Sequence, residues 1–226
     1  MTIKESVRKL PFEPRWPVAL AILAVLLLLW ALPGRIRVFP TWFPYVVAIV
    51  VLAPMAAVRL TGVQPRWLRI ERWTTLLFFL VSGAGTLAGL VYLIDAMVRR
   101  PADISGLQLF TSSVTVWVIN VLIFSLLYWE MDRGGPEARV RGAGNAGTRP
   151  DWLFPQEGAP AEDVPPGWRP VFVDYLFLGY STATAFSTTD VMPLTSRAKL
   201  LMMLESTISL ATIVVVAARA INILGS

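Results

Sequence analysis

The chain has 226 residues, of which 55% are hydrophobic and 15% charged, and its formal net charge is +5. This composition, with its apolar residues gathered into long runs, is typical of an integral membrane protein and not of a soluble domain. The absence of cysteine and histidine excludes disulfides, thiol chemistry, the usual zinc and haem sites and histidine-based catalytic triads.

No glycine-rich phosphate loop, nucleophile–base pair or metal cluster stands at a recognisable spacing in the sequence. We therefore predict that the protein is not an enzyme and uses no cofactor. The basic residues lie beside the apolar runs, where they usually indicate the ends of membrane spans. For this reason we expect no nucleic-acid partner.

Five segments are apolar enough and long enough to be transmembrane helices, which need about 20 mostly apolar residues. They are Trp16–Leu32, Phe39–Leu60, Trp73–Val98, Leu107–Trp129 and Ala198–Leu224. In the third segment, Gly85 and Gly89 are one turn apart, which would permit a close helix crossing. Glycine is common in membrane helices, however, and we expect ordinary packing here.

A long polar connection, residues 130–170, joins the fourth and last segments, and we name it the strap. Its first part, RGGPEARVRGAGNAGTRP, is rich in glycine and is predicted to be flexible. Its second part, DWLFPQEGAPAEDVPPGWRP, is rich in proline. We expect it to be an ordered surface segment with Trp152, Phe154 and Trp168 in the membrane interface.

Polar residues inside apolar segments are functional hypotheses, because a charge at the bilayer centre costs about 2.5–3.5 kcal/mol on insertion scales. Asp95 lies one turn from Arg99, which predicts an ion pair near the interface. Asn120 is predicted to bridge helices. Glu205 has no basic residue one turn away, so we expect it to face protein or a wet cavity.

Two further acids, Glu130 and Asp132, stand at the exit of the fourth segment. We expect them to lie close to water.

The segment before the last helix differs from the rest of the chain. Residues Val171–Ala185 predict a helix of about four turns, too short to cross a bilayer, with Asp174 at its positive end. An irregular polar segment, FSTTDVMPLTSRAK, then leads to the last helix. This order is typical of a re-entrant pore loop, because irregular backbone at membrane depth must be buried in protein or line water. Alternatively, the hydroxyl groups bond their own backbone and Val171–Leu194 is a sixth span.

The stretch YSTATAFSTTDVMP, Tyr180–Pro193, resembles the pore signature of potassium channels without a gap. Tyr180 takes the aromatic position, Thr182 and Thr184 take hydroxyl positions, and Asp190 and Pro193 fall where the post-filter Asp and Pro fall. The following helix, with Glu205, resembles the inner helix of simple bacterial channels, so that the resemblance covers Asp174 to Leu224. The fourth segment with LFP and DYLF also resembles bacterial multi-pass membrane proteins of uncharacterised activity.

The filter sequence departs from the potassium pattern. Where potassium channels have Thr-Val-Gly-Tyr-Gly, this chain has Ala185-Phe186-Ser187-Thr188-Thr189. Ser187 and Thr189 replace two glycines that allow positive φ, and a left-handed L-residue costs about 1–2 kcal/mol. We therefore expect no four-carbonyl potassium cage. The hydroxyls of Ser187, Thr188 and Thr189 would instead line the pathway, with Asp190 at its mouth.

The sequence thus predicts an all-α membrane protein with five transmembrane helices plus a re-entrant pore helix and loop, or six transmembrane helices as the alternative. Residues 1–106 would form a three-helix region, and residues 107–226 a pore-like module. In that module, the outer helix is 107–129, the strap 130–170, the pore helix and filter-like loop 171–194, and the inner helix 198–224. The candidate pathway residues are Thr184, Ala185, Phe186, Ser187, Thr188, Thr189 and Asp190, supported by Asp174, Glu205 and Asn120.

The resemblance implies a homotetramer around one axis, in which Phe186 packs behind the filter and Glu205 braces the short helix. The predicted function is a weakly selective cation channel in a bacterial-type plasma (inner) membrane, with monovalent cations and the lipid bilayer as partners. The alternatives are a non-conducting scaffold or accessory subunit, and a six-span transporter with Glu205 and Asn120 in a polar cavity.

The charge bias and the channel resemblance predict opposite orientations in the membrane. With five spans and a re-entrant loop, the N-terminus, the 60–72 loop and the strap share one side. The arginines and lysines that flank this side place it in the cytoplasm, whereas the channel resemblance places the strap outside.

Overall fold

The computed structural model describes residues 15–32, 40–61, 65–99, 105–141, 149–185 and 190–224. The helices are α1 (Trp16–Ala31), α2 (Phe43–Thr61), α3 (Pro65–Arg99), α4 (Gly106–Met131), α5 (Pro136–Arg141), α6 (Pro155–Gly158), α7 (Phe172–Ala185) and α8 (Ser196–Leu224), with a 3-10 turn at Asp132–Gly134. Two short strands, β1 (Trp152–Leu153) and β2 (Met192–Pro193), pair antiparallel.

The predicted all-α fold is confirmed, and its helices are compatible with a membrane protein. Three segments of the described helices are long and apolar enough to cross a membrane: Arg69–Asp95, Gly106–Gly134 and Ser196–Ala218. Two further apolar stretches, Trp16–Ala31 and Phe43–Ala57, are shorter.

Two helix starts differ from their predicted positions. Helix α3 begins at Pro65 instead of Trp73, because proline suits the first turn of a helix. The prediction counted only apolar residues and therefore left out the charged first turns of this helix. Helix α2 begins at Phe43, where the backbone N–H of Phe43 donates to Pro40. The predicted start at Phe39 lies outside the described residues.

Helix α4 is the centre of the bundle, since it packs against α1, α3, α7 and α8. It begins after Ser105, whose side chain accepts a hydrogen bond from the N–H of Gln108 and caps the helix. Gly89 faces α4 with ordinary packing, as expected, because a methyl group at this position would lie 3.9 Å from Val116, a normal contact distance.

Ion pairs identify which helix ends lie together. Arg15, just before α1, pairs with Glu71 near the start of α3, and both side chains are largely buried. Glu130 at the end of α4 has Arg15 and Glu71 among its electrostatic neighbours, so these three ends meet on one side of the bundle. The predicted pair of Asp95 with Arg99 is also confirmed, at 2.9 Å.

The aromatic residues of the strap lie in the protein core, and their predicted place in the membrane interface is wrong for Trp152 and Phe154. Both are buried. The ring of Trp152 lies 4.8 Å from that of Tyr128, and Phe154 packs edge-on against Tyr175 at 5.3 Å. Trp168 is half-buried against Phe154. The rings of Trp152 and Phe154 thus pack between the strap end of α4 and the start of α7.

Two buried carboxylates anchor the strap, and the expectation that Asp132 and Glu130 lie close to water is wrong. Asp132 accepts hydrogen bonds from the N–H of Asp151 at 2.8 Å and the hydroxyl of Tyr175 at 2.7 Å. Asp151 accepts from Thr195 and, through both oxygens, from Arg197. The strap folds over the end of α4 and removes Asp132 and Glu130 from solvent.

The glycine-rich first part of the strap is also more ordered than predicted over the residues that the structure describes there. Arg133, Gly134 and Gly135 turn the chain with positive φ, and α5 follows. Arg139 of α5 is buried, donates to the carbonyls of Trp129 and Asp132, and lies over the rings of Trp129 and Tyr175. Such charge–ring stacking explains the order of this segment.

Asp151→Asn tests the anchoring role of the strap. We expect it to lower the free energy of unfolding by about 1–3 kcal/mol, because the buried charge-assisted bonds to Arg197 are weakened. Glu162→Gln, an exposed carboxyl on the same strap, is the control and should change stability by less than about 0.5 kcal/mol. Chemical unfolding in detergent micelles measures both, and equal effects would contradict the anchoring role.

Candidate functional site: the polar core beside the short helix

The short helix α7 has 14 residues, against the predicted Val171–Ala185, and spans about 21 Å at 1.5 Å per residue. The N–H of Val171 donates to the carboxylate of Asp174 at 2.7 Å, which satisfies one free donor at the helix start. The pKa of Asp174 is raised above its ordinary value by partial burial, and hydrogen bonds from backbone N–H groups offset part of this rise. The expected place of Asp174 at the positive end of α7 is confirmed.

Helix α7 runs antiparallel to the second half of α4. Phe172 at its start packs against Trp129 near the end of α4. About halfway back along α4, Tyr180 packs against Trp117 with ring centroids 6.0 Å apart. The short helix therefore descends from the strap end of the bundle towards the middle of α4.

After α7, the chain returns to the end of the bundle from which α7 started. Strand β2 pairs with β1 of the strap, with Trp152 opposite Pro193 and Leu153 opposite Met192. The N–H of Leu194 also donates to the carbonyl of Asp151 at 2.8 Å. In the described residues, Val171–Leu194 is thus not one continuous helix.

Glu205 of α8 lies between α4, α7 and α8 with no exposed surface. Its Oε2 accepts a hydrogen bond of 2.5 Å from the hydroxyl of Tyr128. In the part of the chain that the structure describes, its other oxygen has no hydrogen-bond partner. The prediction that Glu205 faces protein is confirmed.

Asn120 joins α4 to α8, as predicted. Its amide nitrogen donates to the hydroxyl of Ser209 at 3.0 Å and to the backbone carbonyl of Glu205 at 3.3 Å. Asn120 and Glu205 therefore belong to one buried polar layer, which also contains Tyr128 and Ser209.

Gly179 allows α7 to approach this layer. A methyl group at Gly179 would lie 2.3 Å from the hydroxyl oxygen of Ser125 and 3.3 Å from Oε1 of Glu205. Any larger residue would push α7 away from α4, so glycine is required here by close approach. A second link is made where Ser206 donates to the carbonyl of Thr182 at 3.2 Å. Glu205 thus lies directly behind the short helix.

The candidate pathway residues lie partly outside the described chain. Thr184 and Ala185 are exposed at the end of α7, and the hydroxyl of Thr184 donates to the carbonyl of Tyr180. Phe186, Ser187, Thr188 and Thr189 fall outside the described residues. Asp190 is described and exposed. Asp174 lies at the opposite end of α7 from Thr184, so it does not join Glu205 and Asn120.

The polar layer can hold α7 against α4 and α8, and in the described residues it does so through hydrogen bonds. No group of three or more acidic side chains in the described ranges is placed to hold a metal ion. Glu205 has a tyrosine hydroxyl as its neighbour and no ion pair in this part of the chain. A buried carboxyl with one neutral donor stabilises the packing of α4, α7 and α8 only while that donor is present.

No family model, curated protein or solved structure matches the chain.

Sequence reasoning missed Tyr128, Gly179 and Ser209, the partners of the predicted polar residues. Tyr128 stands among aromatic and aliphatic residues near a predicted interface, where tyrosine is common, so its sequence gives no sign of a carboxylate partner. Gly179 stands two residues before a run of hydroxyl residues, and a glycine inside a helix is a usable signal of close approach.

Tyr128→Phe tests the layer. We expect it to lower the free energy of unfolding by about 1–3 kcal/mol, because Glu205 loses its donor. Combined with Glu205→Met, the loss should largely disappear, since both partners are then apolar. Tyr180→Phe, at a half-exposed ring on α7, is the control and should be close to neutral. Unfolding in micelles measures all variants. If the effects of Tyr128→Phe and Glu205→Met simply add, Tyr128 and Glu205 are not coupled.

Proposed function

We propose that the protein is a multi-pass membrane protein of a bacterial-type plasma membrane that forms a homotetrameric, weakly selective cation channel. In this proposal, α1 to α4 and α8 cross the bilayer, and α7 with the following loop enters and leaves on the strap side. Monovalent cations pass a hydroxyl-lined loop formed by Ser187, Thr188 and Thr189, with Asp190 at its mouth.

The observation that carries the proposal is the path of the chain around α7. A helix of 14 residues starts beside the strap, and the segment after it pairs with the strap again through β1 and β2. A helix of about 21 Å is too short for a hydrocarbon layer of about 30 Å. A half-length helix followed by a return on the same side is the arrangement that a pore loop needs.

Exposed side chains on α7 support association with other copies. Val173, Phe177, Tyr180 and Thr184 follow one another at helical spacing and are all exposed in the single chain. This stripe contains a threonine and lies on the half-length helix. In a tetramer, it would face the neighbouring copies around the axis.

A non-conducting scaffold is the second candidate, and the hydroxyl groups of α7 favour it. Thr184 bonds its own helix, and Ser181 and Thr182 are buried. Hydroxyl residues that satisfy the backbone and pack between helices need no ion to explain them.

A pair of cysteine variants tests the topology without background, because the chain contains no cysteine. Gly158 is exposed with no atom within 4 Å of an added Cβ, and Leu194 is exposed beyond β2. We expect Gly158→Cys and Leu194→Cys to react with a membrane-impermeant thiol reagent from the same side. Ala88→Cys, on an exposed face within the apolar part of α3, should not react from either side.

The same experiment decides the orientation. Labelling of both cysteines in intact cells would place the strap outside, as the channel proposal expects. Labelling of both only after lysis would place the strap in the cytoplasm and require an inverted pore, in which the loop enters the membrane from the cytoplasmic side. Labelling from opposite sides would contradict the re-entrant path and favour a six-span carrier.

A flux assay tests conduction through the loop. In reconstituted vesicles, we expect Ser187→Gly combined with Thr189→Gly to change the ratio of potassium to sodium flux, because two hydroxyls leave the pathway and carbonyls can turn inward. Glu162→Gln, on the exposed strap, should leave the ratio unchanged. An unchanged ratio in the double variant would contradict a hydroxyl-lined filter, and absence of flux from a stable oligomer would favour the scaffold.

A further inference from the structure

A cavity of about 410 Å³ opens between α3, α4 and α8. Its volume falls within the range of about 300–1,000 Å³ of small-molecule sites. The polar side chains in its lining are Thr86 and Asn120. The hydroxyl of Thr86 donates to the carbonyl of Ser82, and the amide of Asn120 donates to α8. Oδ1 of Asn120 has no hydrogen-bond partner in the described residues. The wall therefore offers apolar contact, this one acceptor, and no free donor from these two groups.

The cavity has an inner wall and an exposed rim. On the inner wall, Phe79 and Ile123 are 5% and 3% exposed. On the rim, Leu80 and Leu204 are 71% and 44% exposed. An occupant would thus enter past exposed leucines and reach side chains that belong to the core.

The surroundings of the rim identify the occupant. All three walls belong to the segments that are long and apolar enough to cross a membrane. In a bilayer, the rim faces hydrocarbon, where the tails of lipids are the abundant molecules. A ligand with several polar groups would lose its hydration and find one free acceptor, Oδ1 of Asn120, in return.

We propose that an acyl chain of a membrane lipid occupies this cavity. The chain fills the space between α3 and α8 and contacts the apolar wall on both sides. It removes a void that would otherwise leave the lining side chains without contact partners. The inference rests on the membrane location of the proposed function, and it does not depend on ion conduction.

The position of the cavity gives the acyl chain a structural role. Leu204 lies next to Glu205, and Asn120 touches both the cavity and the polar layer behind α7. The lipid chain thus completes the contact between the N-terminal helices and α8, beside the residues that hold the short helix. A lipid at this place couples the composition of the bilayer to the packing of α8.

Photolabelling tests the proposal on the full chain in phosphatidylcholine vesicles that contain a lipid with a diazirine in the middle of one acyl chain. We expect adducts on the inner-wall residues Phe79 and Ile123, located by mass spectrometry of the peptides. Lipid that only surrounds the protein would modify exposed side chains and leave these two unmodified.

Two pairs of variants make the test specific. An added Cβ at Gly83 meets no atom within 4 Å, so Gly83→Leu can fill the cavity, and Leu204→Trp narrows its rim. Both should lose the inner-wall adducts. Ala88→Leu on α3 and Leu200→Trp on α8, at exposed positions outside the lining, should keep them.

Several labelling results would overturn the lipid proposal. Adducts confined to exposed side chains, or an equal loss in the control variants, would show that no acyl chain enters. Adducts elsewhere on α3 and α8 but neither on the rim residues Leu80 and Leu204 nor on the inner wall would show that a second copy covers the rim. The proposed channel fails separately, since absent flux with intact inner-wall labelling leaves the lipid site in place. Absence of adducts from all three helices would contradict the membrane location itself.

Discussion

Two buried carboxylates at one end of the bundle hold the short helix in place. Asp132 binds the start of α7 through the hydroxyl of Tyr175. Asp151 binds the segment that follows β2, through Thr195 and Arg197. Because both acids belong to the strap region and are joined by a hydrogen bond, the start and the return of the α7 segment are tied to one place. A half-length helix among apolar helices needs such ties, since its backbone ends cannot be left to lipid.

The polar layer around Glu205 works at the other face of α7. Tyr128, Asn120 and Ser209 give the described α4 and α8 specific partners, and Gly179 brings α7 into contact with them. Apolar side chains alone would allow several rotations of these helices with similar packing. A layer of buried hydrogen bonds selects one arrangement, because any other leaves polar groups unpaired in a medium of low dielectric.

The apolar segments and their polar exceptions could be predicted from sequence, since hydrophobic length and the high cost of buried charge act on single helices. The segments around α4 and α8, the pair of Asp95 with Arg99, the bridge at Asn120 and the protein-facing Glu205 follow from these two effects. The pairing of distant residues could not be predicted this way. Asp132 and Asp151 look like solvated loop acids in the sequence, because their partners are brought to them only by the folded strap.

The aromatic residues of the strap show the same limit. Tryptophan beside an apolar segment is usually an interfacial anchor, and Trp152 was expected to be one. Its burial against Tyr128 follows from the pairing of β1 with β2 and from the packing of the strap over the end of α4, contacts between distant residues that no sequence period reveals. Of the candidate site, Asn120 and Glu205 were thus predictable, whereas their partners Tyr128 and Ser209 and the surrounding aromatic and carboxylate residues of the strap were not.

The shortness of α7 also sets an order of assembly. A ribosome delivers α7 before α8, yet the partners of α7 include Glu205 and Ser206, which come later in the chain. Until α8 has been made, α7 can contact α1, α4 and the strap, but its contacts with Glu205 and Ser206 cannot form. The packing of α7 is therefore completed only when the last helix is present. A chain truncated before Glu205 would lack this wall of the short helix.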